Sequence, residues 1–353
     1  MNKNKMLGCL TLFFSPLVIA MQPMDDQSLS VATGQDGLNI NVTTPSIEFK
    51  QMAVIDPDGW DTKTVAATEY RGRAALVLAQ SPNSTMSSPT ITAKAAGTST
   101  NLSLNAVIDT DKGTGTNGAF ANIGITFGNL DELVFSKFSI YTAGANAVSD
   151  MGLTTPGIYT QRTIFGGTTA TLNTGVKELL RLNEGLNIKF LATNKPKMNI
   201  QLGAAPQGYM VGLGGAIDSI CGAGTGCNMM LVSSYANETD PTTTAIGANF
   251  KFQMKASNPL TGFRLDNFHA GIESDGFVFG NFVNTCSTTP STCITSDAVD
   301  LSLNEIKLGN DMTTIPAVGS ANYRFNGLQN SSIGNVGFKN ASVTDLKMKI
   351  SGL

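Results

Sequence analysis

The sequence predicts an all-β protein: an antiparallel β-sandwich or long twisted sheet with at most one short helix. Three observations lead there. Several segments alternate apolar and polar residues with period two, as half-buried strands do: Leu38-Asn39-Ile40-Asn41-Val42, Phe250-Lys251-Phe252-Gln253-Met254 and Leu346-Lys347-Met348-Lys349-Ile350. Glycine fills 37 of the 353 positions, among abundant Thr, Ser and Asn, which suits many strands joined by many turns. Clean alternation gives each sheet one wet and one buried face, which favours antiparallel pairing over βαβ units.

In chain order, Lys3 and Lys5 precede a largely apolar run, and Val18-Ile19-Ala20 supplies the residues of a cleavage site. Residues 1–20 are therefore expected to be a secretory signal peptide, leaving no transmembrane span after cleavage. A lipoprotein signal at Cys9 would have too little chain before it, and a prepilin signal would want glutamate where Phe13 stands. Asp25 or Ser28 suits the cap of a short helical turn, and Gly34-Gln35-Asp36-Gly37 is a turn. Strand is expected over 42–55 with a break at Thr44-Pro45, ending in the turn Asp56-Pro57-Asp58-Gly59. Residues 81–100 read as loop or edge strand. Strands are expected at 102–111, 120–127 and 133–141.

The turn-like stretch 144–167 divides an N-terminal β-rich region, 21–150, from a C-terminal one, 151–353. Residues 176–182 read as the one helix, because Val176, Leu179 and Leu182 share a helical face and Gly185 stops it. Leu186-Asn187-Ile188-Lys189-Phe190 and Met198-Asn199-Ile200-Gln201-Leu202 flank Asn194-Lys195-Pro196-Lys197 and read as a hairpin. Ala53-Val54-Ile55-Asp56 is echoed at Ala106-Val107-Ile108-Asp109, and Leu102-Ser103-Leu104-Asn105 at Leu301-Ser302-Leu303-Asn304. These echoes are too irregular for a solenoid.

The stretch M-Q-P-M-D-D-Q-S-L-S-V-A-T-G-Q-D-G-L-N-I, from Met21 to Ile40, follows the leader directly. It resembles the start of the FilA-type pilus-assembly proteins, secreted filament-associated surface proteins of Gram-negative bacteria. The likeness runs more loosely to Gly59, through Ala53-Val54-Ile55-Asp56-Pro57-Asp58-Gly59. The resemblance implies export and association with a filament, and it brings no catalytic or ligand residue.

Chemistry in the remaining residues is sparse. Net charge is −3 and 14% of residues are charged, with Lys and Arg scattered, so no nucleic-acid partner is expected. Once Cys9 leaves with the leader, Cys221, Cys227, Cys286 and Cys293 remain. Of three connectivities, the local pairs Cys221–Cys227 and Cys286–Cys293 are expected as disulfides. Zinc would want CxxC spacing and more than the lone His269. Gly113-Thr114-Gly115-Thr116-Asn117-Gly118 matches a dinucleotide fingerprint in letters, but strand-like residues follow it, so it reads as a hairpin loop. Asp56 with Asp58 and Asp109 with Asp111 have the alternate spacing of calcium ligands. Both pairs lack the further ligands of an EF-hand and equally suit Asx-turns.

His269 has no G-x-S-x-G partner motif, and Glu273 with Asp275 is only a formal glycosidase pair. No enzyme activity and no cofactor are expected. The sequence thus points to a secreted structural or interaction protein, a subunit or accessory of a surface pilus or filament. It would be periplasmic, on the outer surface or in the pilus. Its partners would be other filament subunits or assembly proteins, copies of itself included, with residues 343–350 as the first candidate for strand exchange. The alternative is an adhesin or periplasmic binding module with a carbohydrate or lipid pocket between sheets, for which aromatic residues exposed near the cystine loops would be the mark.

Overall fold

The computed structural model describes residues 37–56, 74–82, 87–113, 118–144, 164–165, 171–235, 245–283, 286, 289–310 and 332–351. The expected signal peptide at 1–20, the expected capped turn near Asp25, Asp58 and most of the 144–167 stretch lie outside them. Asn39–Leu353 forms one compact unit.

The chain begins with β1 (Leu38–Thr44), β2 (Ile47–Glu48), β3 (Gln51–Asp56) and β4 (Ala74–Ala79). It continues with β5 (Thr90–Ala95), β6 (Thr98–Thr100), β7 (Leu102–Asp111) and β8 (Phe120–Gly128). Then come β9 (Glu132–Phe135), β10 (Phe138–Ala143), β11 (Val176–Leu182), β12 (Leu186–Phe190) and β13 (Lys197–Gly203). Next are β14 (Val211–Gly214), β15 (Ala216–Ile220), β16 (Cys227–Tyr235), β17 (Ala245–Ala256) and β18 (Phe263–Arg264). The last are β19 (His269–Glu273), β20 (Gly276–Gly280), β21 (Val299–Asn310), β22 (Ser332–Ala341) and β23 (Lys347–Ile350). A 3-10 turn at Pro290–Thr292 is the only helical element among the described residues.

The protein is all-β, built from two open antiparallel sheets, and among the described residues neither closes into a barrel. The smaller has eight strands, in the order β1-β7-β8-β13-β14-β19-β20-β23. The larger has fifteen, with the main path β2-β5-β9-β12-β15-β17-β16-β11-β10-β4-β3. Off that path β6 pairs β5, β18 pairs β15, β21 pairs β17, and β22 pairs β21. Both sheets take strands from either side of residue 150.

Short turns carry the chain repeatedly from one sheet to the other. β6 passes into β7 through Asn101, β8 into β9 through 129–131, and β14 into β15 through Gly215, whose φ of 100° suits glycine. Leu130 is buried at this seam with Ala93 and Phe190, against Leu102 and Phe127 of the smaller sheet and Ile188 and Ile217 of the larger. Backbone bonds stitch it: Asp131 N–H to Lys94 O at 2.9 Å and Phe190 N–H to Asp131 O at 2.7 Å. A strand that changes sheets in this way lets two twisted sheets share one core without a long connection.

The larger sheet buries apolar residues on both faces. On one, Ala75, Val77, Tyr141, Ala143 and Val176 pack with Ile164 and Phe165. On the other, Leu182, Cys221, Cys227 and Met229 pack with Phe138, Leu180, Phe250 and Phe252.

Two expectations are corrected. Residues 176–182 are strand β11, not a helix. Ile140 of β10 faces Leu180 while Tyr141 faces Glu178, so Leu179 is an extra, bulged residue. The bulge shifts the side-chain alternation by one, and this imitates a helical three-residue spacing. The segments at 186–190 and 198–202 are both strands, but they do not form a hairpin. β12 pairs β9 and β15 in the larger sheet, whereas β13 pairs β8 and β14 in the smaller. The intervening loop is a crossover, held by Leu191 N–H to Ala216 O and Ala216 N–H to Asn194 O, each 2.9 Å.

Candidate functional site

The cysteines pair locally, as expected. β15 sets Ser219 and Ile220 opposite Lys255 and Met254 of β17, and β16 resumes on the same edge of β17 with Cys227 opposite Phe252. Residues 222–226 are therefore looped out of an otherwise continuous strand. The Cys221–Cys227 bond closes that loop at its base, with Cα atoms 5.2 Å apart. Its tip is exposed, but both cysteines are buried. Gln253 Nε2 donates to the carbonyls of Cys221, Gly222 and Gly224 at 3.3, 3.2 and 3.2 Å, so the loop is internally satisfied. Cys286–Cys293, with Cα atoms 4.7 Å apart, closes a loop beyond β20. Disulfides are compatible with an extracellular or periplasmic location. No helix of the described residues is long and apolar enough to cross a membrane.

The calcium candidates fall on different sheets. Asp56 ends β3 in the larger, while Asp109 and Asp111 end β7 in the smaller. Asp111 Oδ1 accepts the Gly113 N–H at 2.6 Å, an Asx-turn bond, and Asp109 Oδ1 accepts the Thr110 N–H at 2.7 Å. Among the described residues no three His, Cys, Asp or Glu side chains are grouped as a metal would need. Glu273 ends β19 and Asp275 lies in the β19–β20 turn, both beside two lysines of β23. Lys347 reaches Glu273 at 2.6 Å, and Lys349 pairs with Glu273 at 3.4 Å and also with Asp275. The hydrogen bond from Lys347 lowers the Glu273 pKa, and that from Lys349 lowers the Asp275 pKa. Neither carboxyl is tuned upward, as a glycosidase acid must be.

A buried polar knot lies inside the larger sheet. Arg181 donates to Glu178 from Nε at 3.0 Å and from Nη2 at 2.8 Å, and the Tyr235 hydroxyl donates to Glu178 Oε2 at 2.7 Å. Two bulges bring these three together. The extra residue Leu179 turns Arg181 onto the face of Glu178, and a second shift between Val232 and Ser234 turns Tyr235 onto it as well. Burial, followed by the Glu178 charge, pushes the Tyr235 and Tyr141 hydroxyls far above their ordinary range. The Glu178 side chain is fully buried, so this arrangement orders the core and presents nothing to a ligand.

The two faces of the smaller sheet differ, one being mainly polar although Val107, Phe120 and Val278 also lie on it. Cross-strand register places Asn105, Asn122, Asn199, Gln201, His269 and Glu273 on one side. Leu104, Ile123, Ile125, Ile200, Leu213 and Phe279 lie on the other. The polar side carries an amide ladder. Asn105 Nδ2 donates to Asn39 Oδ1 at 2.6 Å and Asn41 Oδ1 at 2.8 Å, and Asn199 Nδ2 donates to Asn122 Oδ1 at 3.0 Å.

Beside this ladder runs a row of rings. Tyr209 stacks on His269 with centroids 4.6 Å apart, His269 lies 4.6 Å from Phe282, and Lys347 Nζ sits 4.7 Å over Phe282. Two cavities open on this face, of about 570 Å³ and about 300 Å³, and Tyr209 lines both. Phe282 and Val283, just before the Cys286–Cys293 loop, and Ile294, just after it, wall the larger one. Sequence reasoning treated His269 as an isolated residue and passed over Tyr209 and Phe282. The available signal was Val211-Gly212-Leu213-Gly214, a strand whose polar-face positions are all glycine.

Compared with protein-family models, curated proteins and solved structures, the chain has no match.

Proposed function

We propose that this chain is an exported structural or interaction protein, a subunit or accessory of a surface filament, and that it joins its partners by pairing strands at open sheet edges. The observation that carries this reading is the chemistry of those edges. β1 contains no charged residue, and its Ile40 and Val42 are 38% and 49% exposed. At the opposite edge of the same sheet, Met348 and Ile350 of β23 are 47% and 56% exposed. In the larger sheet β3 exposes Met52 and Val54, and β22 exposes Val336 and Phe338. Soluble monomers blunt such edges with charge, proline or a covering segment, because an apolar open edge recruits another strand. Among the described residues β1 has none of these, whereas β23 carries Lys347 and Lys349, both ion-paired within the sheet.

The two edges of the smaller sheet match one another. Asn39 and Asn41 bond to Asn105 on the polar side, so Ile40 and Val42 face the apolar side. Lys347 and Lys349 of β23 share the polar side with Glu273, and Met348 and Ile350 face the apolar side. A β23 laid on the β1 of a second copy would continue both faces, and such a head-to-tail contact builds an open filament. The resemblance of residues 21–59 to filament-associated secreted proteins supports the same reading.

The test is a strain in which the β1 edge carries Ile40→Lys and Val42→Lys. The variant should be exported and folded yet leave the surface without filaments. Filaments of normal number containing the variant would reject strand addition at β1. Deleting 343–350 is a poorer test, because Asp345 Oδ1 accepts the Val283 N–H at 2.8 Å and β23 completes the pairing of β20.

A further inference from the structure

We infer that the polar face of the eight-stranded sheet, from β8 to β20, is a groove that binds a neutral oligosaccharide, with Tyr209 as its central aromatic wall. This goes beyond filament membership and does not depend on it. The groove lies on the outer, polar side of one sheet rather than between the sheets.

Four features specify the ligand. First, Gly124, Gly212 and Gly214 face the groove, and the floor is open at Gly124, where an added Cβ would meet nothing within 4 Å and a ligand can approach the backbone closely. The Tyr209 ring is seated on one of them, since a Cβ added at Gly212 would come within 2.9 Å of its Cε2. Second, the polar groups are mostly amides. Asn199 Nδ2 and Gln201 Nε2 donate to Asn122 Oδ1 at 3.0 and 3.2 Å, and since an amide NH2 carries two hydrogens, each keeps a second N–H that suits a ligand hydroxyl. The Asn199 Oδ1 is buried and has no hydrogen-bond partner, an acceptor that lacks a donor.

Third, the charges cancel. Lys347 and Lys349 are ion-paired with Glu273 and Asp275 at the far end. Lys197 and Asp266, one of each sign, both reach over Gly214. No cluster of one sign is left for an anion or a cation to neutralise. Fourth, the apolar lining is local: Val278, Phe282, Val283 and Ile294 wall the larger cavity, while Ile123, Ile200 and Phe279 of the same strands point to the opposite face, so the strands offer no continuous apolar floor for a lipid tail. A sugar ring has an apolar C–H face for the Tyr209 ring and a rim of hydroxyls for the amides. The cavities are of the size usual for small-ligand sites.

The test uses the full purified chain on an array of neutral and anionic oligosaccharides, followed by calorimetry with whichever neutral tetrasaccharide gives the strongest signal. Binding with a Kd below about 1 mM is expected for at least one neutral glycan. Tyr209→Ala should weaken it about tenfold or more, and Tyr209→Phe should keep it within about threefold. Gly124→Gln supplies a variant that cannot be confused with misfolding. A Cβ at Gly124 meets nothing within 4 Å, so the side chain fills the groove while the melting temperature stays put. It too should cost about tenfold in affinity. The proposal is overturned if no neutral glycan binds, if only anionic glycans bind, or if Tyr209→Ala and Gly124→Gln bind like the parent chain.

Discussion

Replacing Arg181 by methionine should be among the most damaging single changes in the larger sheet. The Glu178 side chain is 0% exposed and that of Arg181 is 10% exposed, so methionine fills similar space but leaves the carboxylate without its counter-charge. Two charge-assisted hydrogen bonds vanish, and Tyr235 alone remains to hold the anion. Breaking a buried pair from one side costs about 3–5 kcal/mol, because the surviving charge cannot be solvated. Tyr235→Phe removes one bond to the same carboxylate and should cost about 1.5–3 kcal/mol.

The triple variant Glu178→Leu, Arg181→Met, Tyr235→Phe deletes every member of the knot, and no charge or hydroxyl of the three is left stranded. It should recover to within about 2 kcal/mol of the parent, since apolar replacement of a whole buried ionic group is often neutral or better. Urea unfolding with the disulfides intact measures each free energy from the midpoint at constant slope. A loss below about 1 kcal/mol for Arg181→Met, or a triple variant as weak as that single one, would refute the reasoning.

Other consequences follow from specific contacts. Gly247 lies opposite the bulge after Val232, and a Cβ there would press on the Leu231 carbonyl and stand 3.2 Å from Ser233 N. Gly247→Ala should therefore destabilise by about 1–3 kcal/mol in the same unfolding assay. Removing the Cys221–Cys227 bond with paired alanines should cost about 2–3 kcal/mol by loop entropy, given a separation of six residues. Under graded reductant Cys286–Cys293 should open first, because its cysteines are half-buried and Cys221 and Cys227 are buried; mass spectrometry of alkylated thiols reads the order.

Acid should weaken the fold. Glu273, Asp275 and Asp297 are held below their ordinary pKa values by Lys347, Lys349 and Arg264 respectively. Depressed carboxyls contribute stability above their unfolded pKa values, and that stability is lost as pH falls through the folded ones. The urea midpoint should drop as pH is lowered below about 4, and Lys349→Met should make that drop shallower.

The fold class was legible because strand alternation is local: β1, β12, β13, β17 and β23 all contain segments recognisable from period two alone. Two kinds of information were not local. Bulges insert one residue and shift the alternation, so Val176, Leu179 and Leu182 imitated a helix although the structure buries Val176, Glu178, Arg181 and Leu182. Strand partners are chosen by distant segments. Leu186–Phe190 and Lys197–Gly203 each had the pattern and spacing of a hairpin, yet the strands they pair with belong to different sheets. The echoed Ala-Val-Ile-Asp segments likewise end on different sheets, in β3 and β7. Local cysteine pairing was readable from spacing, since short loops between cysteines close easily. The groove was not, because Tyr209, His269 and Phe282 are distant in sequence and only the register of β14 with β19 makes them neighbours.

The central claim, that this chain belongs to a surface filament, is tested most directly by electron microscopy of cells with and without it, using gold-labelled antibody against the chain. Label along filaments, or at their tips, that disappears together with those filaments on deletion is the predicted result. Filaments that persist in normal number and never carry label would contradict it.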